Sequence, residues 1–313
     1  MKRVLITGAA GFLGGYVADA CRQAGYSVIG ADIHAPYPGS QWEEFRAEAC
    51  ETVDWESLLG GREVTAVVHL AGGASVPDSV REPYRDFMLS LPGTAKLLSY
   101  CAQRLPSAHF ILFSSAAVYG NPQRLPIGES TAVAPVSPYG VHKACAEFLV
   151  ESYARLYGLQ ASILRVFSAY GPGLKKQLFW DLARRALEAS ARGESTVRMH
   201  GSGNETRDFI YSADIAAAAL RIADLPRQPG CRRFNIASGQ ATSIREAAAL
   251  LVDRLGLDLE LAFDGAPRDG DPLYWQADVT KAAEIGFRAT MSLSDGLAEV
   301  ARWSVSDAIE RAA

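Results

Sequence analysis

The chain has 313 residues, 49% of them hydrophobic and 21% charged, which is enough apolar material for a sizeable core and too little charge for a disordered chain. Thirty-one Lys and Arg against 35 Asp and Glu leave a net charge of −4, and this speaks against a nucleic-acid-binding face. Five cysteines, at 21, 50, 101, 145 and 231, are odd in number and never reach C-x-x-C spacing. Neither a zinc site nor a disulfide framework is expected, and the cysteines read as small core residues of a cytoplasmic protein. The basic start, Met1-Lys2-Arg3, is followed by no long apolar region and no cleavage signature. No apolar run approaches ~18 residues, so no membrane span is expected.

In chain order, a strand is predicted over 3–7 and a helix over 12–24, ended by Gly25. The turn between them reads Gly8-Ala9-Ala10-Gly11-Phe12-Leu13-Gly14. Glycines there permit the positive φ of a tight turn and let the backbone approach a pyrophosphate, whose charge then meets the helix N-terminus. The spacing is G-x-x-G-x-x-G rather than the G-x-G-x-x-G of the usual dinucleotide fingerprint. A second strand over 27–32 ends on Asp32. A carboxylate at that place accepts from both ribose hydroxyls of NAD and repels a 2′-phosphate. No Lys or Arg lies between 32 and 45, so NAD is expected over NADP.

Further strands are predicted at 65–70, 109–114 and 161–166, with amphipathic helices over 84–104 and 138–157. Apolar strands alternating with helices predict an α/β fold with a doubly wound parallel sheet. Pro92, inside the first of these helices, predicts a kink or break. The second opens Ser137-Pro138-Tyr139-Gly140-Val141-His142-Lys143, with proline suited to a first turn. Tyr139 and Lys143 are four apart and share one face. A phenol with a pKa of ~10 is a poor base near neutrality. A neighbouring ammonium and a positive nicotinamide ring favour the phenolate, which can then exchange a hydroxyl proton while hydride moves. Ser115, closing Phe113-Ser114-Ser115, is placed to hold the substrate oxygen beside Tyr139.

After Tyr170-Gly171-Pro172-Gly173 the rhythm changes. A helix over 177–192 and a turn-rich stretch at 200–206 follow, and regular alternation fades. A boundary near 168–175 is expected. It divides 1–170 from a smaller α/β lobe over 171–313, with a strand near 234–237 able to return to the main sheet. Lys175-Lys176 and Arg184-Arg185 read as a solvated helix face, His142 as an exposed helix residue, and His69 as a strand end rather than a metal ligand.

Several stretches together carry a family resemblance. They are Thr7-Gly8-Ala9-Ala10-Gly11-Phe12-Leu13-Gly14, His69-Leu70-Ala71-Gly72, Ser114-Ser115-Ala116-Ala117-Val118-Tyr119-Gly120, and Ser137-Pro138-Tyr139 through Lys143. Arg165-Val166-Phe167-Ser168-Ala169-Tyr170-Gly171-Pro172-Gly173 and Arg207-Asp208-Phe209-Ile210 continue them. The chain resembles, over nearly its whole length, the extended short-chain dehydrogenase/reductases of the nucleotide-sugar epimerase/dehydratase group. That resemblance implies a Rossmann sheet with a C-terminal substrate lobe. It makes Ser115, Tyr139 and Lys143 the catalytic trio, with Lys143 also on the nicotinamide ribose. Leu70, Ala71, Gly72 and Ser114 would join Gly8, Gly11, Phe12, Leu13, Gly14 and Asp32 around NAD. Ser168, Arg207, Arg268 and Asp271 resemble the residues that hold a UDP- or dTDP-linked sugar, arginine offering a planar donor fork to diphosphate oxygens. Related enzymes join the two long helices across a four-helix interface, so a homodimer is expected, with neither membrane nor nucleic acid as partner.

Three positions depart from the family pattern. Ser90 and Ser168 stand where Asn is usual, and the acidic residue that meets adenine appears as Glu48 or is missing. A further position bears on the reaction. Dehydratases of the group carry Asp-Glu after the serine, and decarboxylases carry Glu in the second place. Ala116-Ala117 can neither donate nor accept a proton, so elimination is disfavoured. What remains is a 4-epimerase: oxidation at C4, turnover of the keto-sugar, and return of hydride to its other face with NAD regenerated. The alternative is an NAD(P)H-dependent reductase of a nucleotide 4-keto-sugar. A 4,6-dehydratase and a non-catalytic dinucleotide-binding protein rank lower, the latter because the whole trio is kept.

Overall fold

The computed structural model describes residues 2–265 and 273–312. Its first half alternates strand and helix: β1 (Arg3–Thr7), α1 (Phe12–Gln23), β2 (Ser27–Asp32), β3 (Glu44–Ala47), α2 (Trp55–Leu59) and β4 (Ala66–His69). Next come α3 (Val76–Arg81), α4 (Pro83–Arg104), β5 (His109–Ser115), α5 (Pro138–Tyr157) and β6 (Gln160–Val166). The second half holds β7 (Ser168–Tyr170), α6 (Gln177–Ala191), β8 (Thr196–Met199), β9 (Thr206–Tyr211), α7 (Ser212–Ala223) and β10 (Gly230–Ile236). The chain ends with β11 (Ala241–Ser243), α8 (Ile244–Arg254), β12 (Glu260–Phe263), α9 (Thr280–Glu284) and α10 (Leu293–Ala312).

Seven parallel strands form one sheet in the order β3-β2-β1-β4-β5-β6-β10. This is the doubly wound Rossmann arrangement, and its strand order reverses between β1 and β4. Successive side chains of a strand point to opposite faces, so the two sides of the sheet are recruited by alternate residues. Val4 and Ile6 of β1 join Val17 and Ala18 of α1 and Ile215 and Ile222 of α7. Leu5, between them, joins Leu58 of α2, Leu97 of α4 and Val150 of α5 on the other face. Burial on both faces is why these strands read as continuous apolar runs. β3 lies at the sheet edge with Glu44, Phe45 and Arg46 only half-buried, which leaves it little apolar signal.

Beyond β6 the chain builds a second core. β7, β9 and β11 form a three-stranded sheet, β8 and β12 a two-stranded one. Phe179 and Leu182 of α6, Leu251 of α8, Leu297 of α10, Tyr170 and Phe209 fill the space between them. Two later segments go back to the first core: β10 pairs with β6 from Gly230 to Ile236, and α7 lies against the sheet beside α1. No helix among the described residues is long and apolar enough to cross a membrane.

Two expectations need correction. α4 runs unbroken through Pro92. The missing backbone hydrogen bond is outweighed because Leu91, Gly93, Thr94, Leu97 and Leu98 are all buried around the proline. Gly93 also lets the helix press onto Cys50, where a Cβ would come within 2.6 Å of the Cys50 Cβ. The cysteines are not all core residues: Cys21, Cys50 and Cys101 are buried, whereas Cys231 is half-buried and Cys145 exposed.

Candidate active site

A cleft of about 1150 Å³ opens above the point where the strand order reverses, lined from both halves of the chain. Pockets for a single drug-sized ligand run to roughly 300–1,000 Å³, so the cleft is at the large end of that range and beyond it. Gly8, Gly11, Phe12, Leu13, Gly14 and Asp32 form one end. Gly8 has φ +68°, and a Cβ on it would fall 2.7 Å from the Ala71 nitrogen. At Gly14 a Cβ would lie 2.1 Å from the Gly8 carbonyl oxygen. Only glycines allow this approach of turn, helix and neighbouring strand. Gly11 is the N-cap of α1 and offers no side-chain cap, and the first turn holds no acidic residue, leaving N–H donors and positive dipole for an anion. The residues therefore fit a dinucleotide diphosphate. Asp32 is buried beside this turn, its Oδ2 accepting from Ala10 N at 3.0 Å and its Oδ1 from His34 N at 2.9 Å.

The wall formed by Leu70, Ala71 and Gly72 is fixed by a hydrogen-bond chain through a histidine. Thr94 Oγ1 donates to Ser90 O at 2.6 Å, so it accepts from His69 Nε2 at 2.7 Å. His69 Nδ1 then accepts from Thr7 Oγ1 at 2.6 Å, and Thr7 Oγ1 accepts from Ala71 N at 3.4 Å. Burial, assisted by the Lys143 charge, pushes the His69 imidazole down to about 3, which keeps it neutral for this role. Glu48 also lines the cleft, after β3.

Ser114, Ser115, Tyr139 and Lys143 converge on the floor. The Ser137 hydroxyl caps α5 by accepting from Gly140 N at 3.2 Å, and Tyr139 N donates to Ser79 Oγ at 3.0 Å. One helical turn on, Lys143 Nζ donates to Phe113 O at 3.1 Å and lies 5.8 Å from the Tyr139 ring centre. Burial drives the Lys143 ammonium down to about 8, while Asp86 and Glu147 hold it up. The Tyr139 hydroxyl is pushed up, chiefly by burial and also by Asp86, against a hydrogen bond from Ser115. The expected favouring of the phenolate is thus absent from the protein alone, because desolvation of a charge outweighs its neighbours until positive charge is added. The Ser114 hydroxyl turns away to Glu147, which is paired with buried Arg165 at 2.7 Å.

From the second half, Ser168 and Arg207 reach the cleft. Arg207 donates to Thr206 O at 2.9 Å with its guanidinium 5.7 Å over the Trp275 ring. Arg268 and Asp271 lie outside the described residues. The expected solvated face at 175–185 is only partly so. Lys175 pairs with Asp307 at 2.7 Å and Arg184 with Glu188 at 2.9 Å, but Lys176 and Arg185 line the cleft. Lys176, exposed at the cleft mouth, donates from Nζ to Ala74 O at 2.8 Å. His142 is not an exposed helix residue: its side chain is 13% exposed and bonded to Asp86. Asp86, Ser90, Thr94, Leu97 and Cys101 form one buried stripe of α4. That helical spacing was the available signal for Asp86.

The profile of the NAD dependent epimerase/dehydratase family matches residues 4–237. A UDP-glucose 4-epimerase of Mycolicibacterium smegmatis is 31% identical over 309 residues, covering 95% of this chain and 96% of that one. The structure of MoeE5 in complex with UDP-glucuronic acid and NAD is 30% identical, with a TM-score of 0.87 over 97% of this chain and 99% of the other. The UDP-glucose 4-epimerase of Thermotoga maritima, solved with UDP-glucose, is 31% identical with a TM-score of 0.86 over 98% and 99%.

Proposed function

The chain belongs to the NAD dependent epimerase/dehydratase family, and from that premise we propose that it is an NAD-dependent nucleotide-sugar 4-epimerase working by transient oxidation at C4. The observation that carries this reading is the meeting of Ser115, Tyr139 and Lys143 in one cleft with the glycine turn, next to Ala116-Ala117. Two alanines offer no carboxyl group for eliminating water, so proton transfer at a single hydroxyl is what the floor is equipped for. A sequence relative and a solved structure named as UDP-glucose 4-epimerases, and a neighbour solved with UDP-glucuronic acid and NAD, support the same choice.

Bound NAD supplies the acceptor, and then the donor, of the hydride. Tyr139 takes the C4 hydroxyl proton as the C–H bond breaks and returns it after the keto-sugar has turned over. Ser115 steadies the C4 oxygen by a hydrogen bond. Lys143 would hold the nicotinamide ribose, and its ammonium, one turn from Tyr139, would favour the phenolate. In this reading residues 1–170 mainly hold the cofactor, with Ser168 near their end turned to the sugar, while 171–313 mainly hold the nucleotide sugar through Arg207, Arg268 and Asp271. Protein loaded with NAD alone should interconvert the two C4 epimers of a UDP-sugar without added reductant. No solvent deuterium should appear at C4, since the hydride never leaves the site. A reaction that stops without stoichiometric NADH or NADPH would replace the epimerase with a reductase.

Asp32 should decide between the cofactors. Its carboxylate would accept from the adenosine ribose and repel a 2′-phosphate, so NAD should bind far more tightly than NADP, and Asp32→Ala should narrow the gap. Titration giving NADP equal or tighter binding in the wild type would remove the assignment.

The quaternary reading is a homodimer through α4 and α5, which pack side by side. Between them lies an apolar groove of about 400 Å³ lined by Leu91, Pro135, Val141, Ala144, Phe148 and neighbours. Phe148, Leu156 and Tyr157 are more than 60% exposed along α5, and an apolar face of this kind is covered in a stable assembly. A second copy related by a two-fold axis would lay the same helix pair against it. Light scattering at micromolar concentration should give twice 33.6 kDa; a single-chain mass would count against it. Cytoplasmic residence belongs to the same reading and is supported by five free cysteines.

A further inference from the structure

Buried Asp86 and half-buried His142, near the tyrosine–lysine pair, have no part in the reaction as described. Asp86 on α4 is 6% exposed, and its Oδ2 lies 2.6 Å from Nδ1 of His142 on α5. His142 stands in the same helical turn as Tyr139 and Lys143, directly before the lysine. Phe87 covers the imidazole edge-on at 5.7 Å between ring centres. On its other side the carboxylate occupies the place of a missing side chain. A Cβ on Gly73 would fall 1.8 Å from Asp86 Oδ1, and Gly72 and Gly73 face the cleft. A carboxylate so withdrawn from water is costly unless it is hydrogen-bonded and useful to a neighbour.

We propose that Asp86, held in place by His142, is a positioning residue whose fixed negative charge governs the pH range in which Tyr139 and Lys143 work together. The inference rests on the reading of that pair as the acid/base couple. Charges act over several ångströms in a site with little water, and the Asp86 carboxylate raises both groups: it opposes the phenolate and favours the ammonium. The other charges that face the couple are accounted for. Glu147, on α5, also supports the Lys143 charge but is bound to Arg165 of β6. Lys176, from the second lobe, opposes it and is itself answered by Asp78 of α3. His69 of β4 is kept neutral. On α4 itself Arg85 pairs with Glu82 at 3.2 Å. Asp86 is thus a charge common to both members of the couple, and His142 is the group that bonds it.

The test is the pH–rate profile of the NAD-loaded enzyme with Asp86→Asn. Without the carboxylate both groups give up protons more readily, so the acidic and alkaline limbs should move together to lower pH. The expected displacement is at least about one pH unit, the low end of what a close charge exerts. A lower plateau with both limbs in place would mean loss of packing only and would overturn the proposal. Should Asp86→Asn not fold, His142 carries the test from the other helix. His142→Ala should displace the limbs, and His142→Asn, which restores a donor, should bring them back. A wild-type profile in His142→Ala would overturn the proposal. Full activity in Tyr139→Phe would remove the acid/base reading itself, whereas an inactive Tyr139→Phe with an unmoved Asp86→Asn profile removes only the positioning role.

Discussion

Tyr139→Phe is expected to lower turnover by about 10²–10⁴-fold, the usual worth of a positioned proton transfer, while NAD and nucleotide-sugar affinities stay within a few-fold. The substitution removes one oxygen and keeps the ring that lines the cleft. The first turn of α5 is held by Ser137 and Ser79 through backbone groups, so the helix start should not shift. In the protein alone the hydroxyl is pushed up by burial and by Asp86, so it keeps its proton until cofactor and sugar are in place. Steady-state kcat beside calorimetric titration of each ligand separates the two effects. Unchanged turnover would show that this helix face does not carry the chemistry.

Lys143→Ala should cost more broadly, because one ammonium is assigned two tasks. Turnover should fall at least ~10²-fold through loss of acid/base tuning. NAD should bind roughly 10–100-fold more weakly, the value of a lost charge-assisted hydrogen bond. The pH dependence has a definite sign. Burial brings Lys143 down to about 8, so the ammonium is present below that pH and lost above it. In the wild type kcat/KM, which reports the free enzyme, should therefore decline as pH rises through about 8. In Lys143→Ala that decline should vanish. A limb that persists in the variant belongs to another group, and the assignment of Lys143 would have to be given up.

The glycine turn, Asp32 and the Tyr139–Lys143 pair could be read directly because each is encoded locally. A strand, a tight turn and a helix follow one another within about twenty residues, and a four-residue spacing on one helix decides a shared face. The same holds for the long core strands, whose burial on both sides leaves a continuous apolar run. β3 escapes this logic: an edge strand with half-buried Glu44 and Arg46 has no such run.

Composition and local periodicity by themselves determined the doubly wound sheet, the glycine turn after β1 and the shared helix face of Tyr139 and Lys143, because these depend on neighbours along the chain. Only the tertiary structure decided what depends on packing between elements far apart in sequence. Pro92 stays inside a continuous α4 because the burial on both sides of it outweighs one lost hydrogen bond. Lys176, read from its neighbours as part of a solvated helix face, is exposed as expected, yet it reaches over the cleft mouth to donate to Ala74 O. His142, read as an exposed helix residue, is turned into the protein by Asp86, 56 residues earlier. Helical spacing says which residues share a face, but the crossing of two helices decides what that face meets, and at Asp86 and His142 it sets a carboxylate and an imidazole behind the tyrosine and lysine.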